Sequence, residues 1–170
     1  MIKIFNYNEL GQELLEELTN SINDQFGSVP IVKETEWSTP DWSLIYFDEE
    51  NIAAFLNIVI RQVKFDDAYH AVGGLNNLIT KKEYRKKGLG SQLVRRANTF
   101  ILDEMNCDFG LLLCADDLVR YYTHLDWTRV DCPVYFQQPG GKKLWQANAM
   151  LISKNRDSHF NTIDLNGLPW

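Results

Sequence analysis

The sequence predicts an α/β (α+β) domain in which helices flank a mixed, mostly antiparallel central sheet. Three observations predict it. Runs rich in β-branched and aromatic residues follow one another from Trp42 to Thr80 with short turns between them. Amphipathic helical patterns lie on either side of those runs. A later apolar run, "FGLLLCA", has the character of a strand buried on both faces. With 170 residues and 45% hydrophobic content, residues 1–170 suit a single domain with a core of its own.

The elements follow in order. "MIKIFNY" alternates like a short strand, and Leu10, Leu14, Leu15, Leu18 and Ile22 then recur on one helical face. "SVPIVKETEWSTPDW", with Pro30 and Pro40, reads as a loop or short helix. "WSLIYFD", "IAAFLNIVIRQVKF" and "YHAVGGLNNLIT" are three successive antiparallel strands. "SQLVRRANTFILDEM" sets Leu93, Val94, Ala97, Phe100, Ile101 and Leu102 at helical spacing. "FGLLLCA" is the fifth strand, and "DDLVRYYTHLDW" is a further helix with Asp116 as a candidate cap. "VDCPVYFQQ" and "LWQANAMLIS" read as a closing pair of strands around the "PGGKK" turn, with the apolar tail "HFNTIDLNGLPW" docking as a last strand on an edge.

Charge is distributed unevenly. Seven of the seventeen Lys and Arg residues lie between Lys81 and Arg96 against Glu83 alone, so that segment carries +6 and the rest −12 of a net −6. So local a patch on an acidic chain suits a small polyanion and argues against nucleic acid. Cys107, Cys114 and Cys132 have neither a close pair nor a neighbouring His, which suits buried thiols in a reducing compartment and no metal site. Without a long apolar run the expectation is a cytoplasmic protein that does not enter membranes.

The basic patch holds Arg85-x-x-Gly88-x-Gly90 between a strand and a helix. A dinucleotide fingerprint would need glycine at Leu93, and a Walker loop would need a Gly-Lys-Ser/Thr ending, so neither fits. Glycines entering a helix turn backbone N–H groups toward one anion, and the helix start adds roughly half a positive charge. A pyrophosphate suits that geometry.

These residues resemble the GNAT superfamily of acetyl-CoA-dependent N-acetyltransferases. "LITKKEYRKKGLGSQL" is similar to its acetyl-CoA loop and "LVRYYTHLDW" to its later helix, and the resemblance runs from about Trp42 to Ser153. It implies a sheet splayed between strands 4 and 5 with acetyl-CoA, a cosubstrate, in the split and no metal. Arg85, Lys86, Lys87, Gly88, Leu89, Gly90 and Ser91 would wrap the pyrophosphate, and Leu78, Ile79 and Thr80 would pair with the pantetheine arm. Tyr122 matches the superfamily tyrosine and would be the general acid, with Tyr121 beside it as packing. Lys82 stands where proline is common, Asp126 where glycine is usual, and Asn76 and Asn77 where many members carry a carboxylate, so no base is assigned. Cys114 reads as small apolar filling. Superfamily members are often homodimers, and the resemblance carries a homodimer over as an expectation.

The reaction so implied is direct attack of a primary amine on the thioester in a ternary complex. "DWSLIYFD", "NIAAFLNIVIRQVKF" and "AYHAVGGLNNLITKKEYRKKGLG", with a Trp ending the sequence, are also similar to the aminoglycoside 2'-N-acetyltransferases. That likeness makes Asp164 and the carboxylate of Trp170 candidate contacts for a cationic acceptor. A protein or peptide N-acetyltransferase and a non-catalytic acyl-CoA-binding module stand as alternatives.

Overall fold

A computed structural model of the chain describes residues 1–155 and 159–170. Strand β1 (Ile2–Asn6) pairs antiparallel with β2 (Trp42–Asp48), β2 with β3 (Asn51–Phe65), and β3 with β4 (Ala68–Thr80). Helix α1 (Gln12–Phe26) and the short α2 (Pro30–Glu34) lie between β1 and β2. From β4 the chain crosses through α3 (Leu89–Thr99) to β5 (Phe109–Cys114), which lies parallel to β4, as a crossover connection requires. The last turn of that helix, Phe100–Glu104, widens to a π-turn in which Met105 N donates to Phe100 O at 2.9 Å.

The sheet has two faces, and cross-strand register tells them apart because neighbours in register share a face. Leu44, Leu56, Ile58 and Leu75 meet α3 through Leu93, Val94 and Ala97. Ile45, Phe55 and Ile79 meet α1 through Leu18. Farther along that second face lie Val59, Leu111 and Trp170. Each face is therefore covered by a helix whose apolar stripe was legible as a 3.6-residue period.

Three expectations need correction. The closing strands are not one pair: β7 (Val134–Gln138) forms a hairpin with β8 (Gly141–Leu144), whereas β9 (Asn148–Ser153) leaves it and lies between β5 and β6 (Thr128–Arg129). The reason is polarity. "GKKL" is exposed throughout and suits an edge, while "NAMLIS" is largely buried and must lie inside the sheet. The tail strand β10 (Ile163–Asp164) does not cover an outer edge but bridges β3 and the hairpin strand β7. Asp116 opens a short 3-10 turn, Asp116–Leu118, without capping it; its carboxylate accepts from Asn148 Nδ2 at 2.5 Å. Helix α4 (Val119–Thr123) follows directly.

Candidate active site

The site begins where β4 and β5 part. Their parallel pairing covers Val72–Leu75 against Phe109–Leu112 and stops there. On its other side β4 carries a bulge: register passes from Asn57↔Asn76 to Phe55↔Ile79, so Asn77 and Leu78 stand opposite Leu56 alone. Asn77 takes φ 52°, a left-handed conformation that Asn tolerates better than most residues. The bulge bends β4 away, so the side of Asn76–Thr80 that faces β5 has no strand on it.

The basic loop closes one end of this opening. Gly88 has φ 75° and Lys86 φ 62°, so the chain makes a left-handed turn into α3, whose first bond runs from Gln92 N to Gly88 O at 3.1 Å. The amides of Leu89, Gly90 and Ser91 come before that bond and are left for an external acceptor. Gly90 lies close against the split, where a Cβ would stand 3.1 Å from the Tyr121 hydroxyl and 3.4 Å from Thr80 Oγ1, with Leu78 Cδ1 at 3.9 Å.

The basic side chains divide their work. Arg85 is a brace: its Nε donates to Thr80 O and its Nη2 to Gln25 Oε1, each at 3.0 Å. Lys81 pairs with Glu17 on α1. Lys82, Lys86 and Lys87 are exposed and have no ion pair among the described residues. Lys87 also stands 5.1 Å over the Tyr84 ring. Between α1 and the end of β4 lies a cleft of about 700 Å³, with Glu13, Glu16, Glu17 and Asp24 on one wall and Thr80, Lys82 and Arg85 on the other.

The two tyrosines of α4 face different ways. Tyr122 is buried at 6% exposure, packed edge-on to Tyr121 and Trp127. Burial, then Tyr121 and Cys114 beside it, holds its phenol pKa well above the ordinary range. Tyr121 is half-buried, and its hydroxyl meets Ser91 Oγ at 3.4 Å. Tyr121 thus contacts the glycine loop, a position that sequence reasoning missed; the step of about 100° between successive helical residues required the two rings to diverge but not which would meet the loop. Asp126 adopts φ 70°, so it makes the turn that glycine would make, and Trp127 is anchored by donating from Nε1 to Asn98 Oδ1 at 3.1 Å.

Leu78, Ile79, Thr80, the loop from Arg85 to Ser91 and Tyr121 therefore gather around one opening, with Tyr122 packed behind Tyr121. Ile79 is buried under α1, leaving only its backbone available to a ligand. Asp164 is not brought there. It pairs with Lys64, ten positions along β3 from the Ala54 that pairs with Thr80, a distance on the order of 30 Å. Its carboxylate is engaged by Lys142 and by Asn166 N at 2.9 Å. Trp170 lies on the α1 face at Gly74, 2% exposed, donating from Nε1 to Leu111 O at 3.2 Å, so its indole is core. Arg61 holds the same tail: it lies 5.5 Å over the indole and donates to Leu168 O at 2.7 Å and to Ser38 Oγ at 2.6 Å. Among the described residues no cluster of three or more His, Cys, Asp or Glu could hold a metal, and no helix is long and apolar enough to cross a membrane.

Comparison with known proteins bears on this geometry. The model of the acetyltransferase (GNAT) family matches residues 9–127. Streptothricin acetyltransferase A of Bacillus subtilis (strain 168) is 30% identical over 95 residues, 54% of this chain and 53% of the relative, so the match spans about half the length of that curated protein. Escherichia coli ElaA superposes with a TM-score of 0.62 at 14% identity, covering 89% of this chain and 97% of that one. A GNAT family acetyltransferase from Brucella melitensis, solved with acetyl-CoA, gives a TM-score of 0.60 at 12% identity over 96% and 94% of the two chains. At such identities these structures establish the fold.

Proposed function

The chain belongs to the acetyltransferase (GNAT) family, and from that premise we propose that it transfers the acetyl group of acetyl-CoA to a primary amine by direct attack in a ternary complex. The observation that carries this reading is the opening between β4 and β5, closed at one end by the left-handed Gly88 turn and the free amides of α3. The residues present fit the cosubstrate. Leu89, Gly90 and Ser91 offer N–H groups to a pyrophosphate, Lys82, Lys86 and Lys87 supply charge, and the unpaired side of Leu78–Thr80 offers a strand edge to an amide-bearing arm.

The chemistry needs orientation first. Holding amine and thioester together supplies on the order of 7 kcal/mol or more of the barrier. The amine nitrogen attacks the thioester carbon, the C–S bond breaks, and the departing thiolate takes a proton. Tyr122 is the proposed donor, with its proton replaced from solvent and the amine's excess proton lost to solvent. Burial raises the Tyr122 pKa, but a thiolate leaving into the same surroundings is raised too. The Cys114 thiol beside it is pushed to about 11, by burial first and then by Asp116 and Asp117. We expect Tyr122→Phe to lower kcat roughly 100-fold with acetyl-CoA affinity unchanged, and Tyr121→Phe to act mainly on acetyl-CoA binding. Equal small effects on kcat would remove Tyr122 as the acid. Cys114→Ala should keep kcat within a factor of roughly three, because a thiol so protonated is no nucleophile.

Within this reading the acceptor is a small cationic amine. The acidic wall of the cleft beside Thr80 supports a cation, for which an aminoglycoside is one candidate. The curated relative's name adds streptothricin to the candidates. Trp170, 2% exposed, would act on the acceptor only indirectly, by holding the tail against Ser38 of the loop before β2. Asp164, engaged by Lys142 and on the order of 30 Å along β3 from the opening, takes no part in holding the acceptor in this reading. The same reading places the chain in the cytoplasm, with its three free thiols. The deciding experiment is CoA-thiol release across aminoglycosides, streptothricin, polyamines and basic peptides, each against an enzyme-free blank. Turnover confined to the small cationic amines is the expected result; turnover only with peptides would move the acceptor to the protein class, and none with any amine would remove the transferase reading.

A further inference from the structure

One buried polar group in the described chain has no hydrogen-bond partner, and it stands beside the split. Ser43, Asn57 and Asn76 are in register on β2, β3 and β4, so their side chains form a row on the face that carries α1 and Trp170. Ser43 and Asn57 are fully buried, and Ser43 Oγ donates to Asn57 Oδ1 at 2.6 Å. Asn57 Nδ2 is bonded to nothing, although Asn76 is its direct cross-strand neighbour. Asn76 is half-buried and is the last residue before the bulge at Asn77, where β4 leaves β5.

An unsatisfied buried amide is destabilising, and a well-packed hydrophobe in its place is often neutral or better. Residues that break this rule cluster where function requires them. The row also has two polarities, since the Ser43 hydroxyl can donate to Oδ1 or accept from Nδ2, and the Asn57 amide can turn end for end without losing that partner.

Resting on the transferase reading above, we propose that Ser43, Asn57 and Asn76 form an acceptor-positioning row. With the Asn57 amide turned, its Nδ2 donates to Ser43 Oγ and its Oδ1 accepts from Asn76 Nδ2. The Asn76 carbonyl then points into the split and accepts one N–H of the acceptor amine. Asn76 is the contact residue and Asn57 positions it. A neutral carbonyl orients the amine nitrogen toward the thioester without stabilising its ammonium form, and the proton the amine loses goes to solvent. The row thus gives the amides of Asn57 and Asn76 one shared role.

The test uses the full chain. Asn57→Leu, which removes the orphan Nδ2 but strands the buried Ser43 hydroxyl, should change Tm by only a few degrees and leave the acetyl-CoA Kd within about twofold, while acceptor kcat/KM falls about tenfold or more. Asn57→Asp keeps the Ser43 bond but introduces charge, so the rise of kcat with pH should move to higher pH as the bound amine's pKa goes up; a merely structural Asn57 would leave that limb in place. Should Asn57→Leu fail to fold, the pH profile of Asn57→Asp decides. Independently of turnover, the side-chain amide resonances of Asn57 and Asn76 in the 15N-labelled, CoA-saturated chain should both shift on addition of the best acceptor of the panel, or of streptothricin and spermidine if none is acetylated. Unmoved resonances, or an unchanged acceptor kcat/KM in Asn57→Leu, overturn the row. A parent that binds acetyl-CoA yet acetylates no amine removes the transferase reading instead.

Discussion

Substituting Gly88 by valine or Gly90 by leucine is expected to weaken acetyl-CoA binding roughly 100-fold or more, the loss of two charge-assisted hydrogen bonds of about 1.5–3 kcal/mol each. The two variants fail for different reasons. At Gly88 nothing lies within 4 Å of an added Cβ, so space is not the obstacle; the obstacle is φ 75°, which a β-branched residue resists. At Gly90 the backbone is helical, but the added side chain meets the Tyr121 hydroxyl and Thr80 and fills the gap between α3 and β4. Neither residue is in the core, so Tm should change by only a few degrees, at about 2–4 °C per kcal/mol for a chain of this size. Calorimetric titration with acetyl-CoA, beside a thermal melt, separates the two effects. An unchanged Kd in both variants would end the assignment of this loop to the pyrophosphate.

Gly74→Ala should destabilise the chain by about 3 kcal/mol, a fall in Tm on the order of 10 °C, because its methyl cannot share space with the indole of Trp170. An added Cβ would lie 2.1 Å from Trp170 Cε2. Gly74 is held in register by Val59 on one side and Leu111 on the other, so β4 cannot shift and the indole must leave. With it go the bond to Leu111 O and the stacking of Arg61. The check is a double-mutant cycle: once Trp170→Ala has emptied the site, Gly74→Ala should add little, whereas full additivity would mean that the strand and not the indole suffers. Because the tail contacts Ser38 of the loop before β2, loss of the indole should also raise the acceptor KM while sparing acetyl-CoA affinity.

The sequence by itself determined the local elements and the glycine turn into α3. Runs of β-branched and aromatic residues from Trp42 to Thr80, the apolar stripe of α3 and the glycines after Arg85 are properties of neighbouring residues, and the structure has a strand, a helix or a left-handed turn at each. The tertiary structure alone decided what depends on partners distant in the chain. "NAMLIS" carries the marks of a strand, but only competition for buried positions sends it to β5 and leaves "GKKL" as the partner of β7. Tyr121 and Tyr122 are the same residue type one position apart, and the packing of α4 against Trp127 chooses which hydroxyl meets the loop. Trp170 owes its burial to Gly74, nearly a hundred residues away, and the open end of Asn57 is visible only once β2, β3 and β4 are in register. Local propensity acts over a few residues, whereas shape, burial and hydrogen-bond satisfaction are settled by contacts that form only when the whole sheet has assembled.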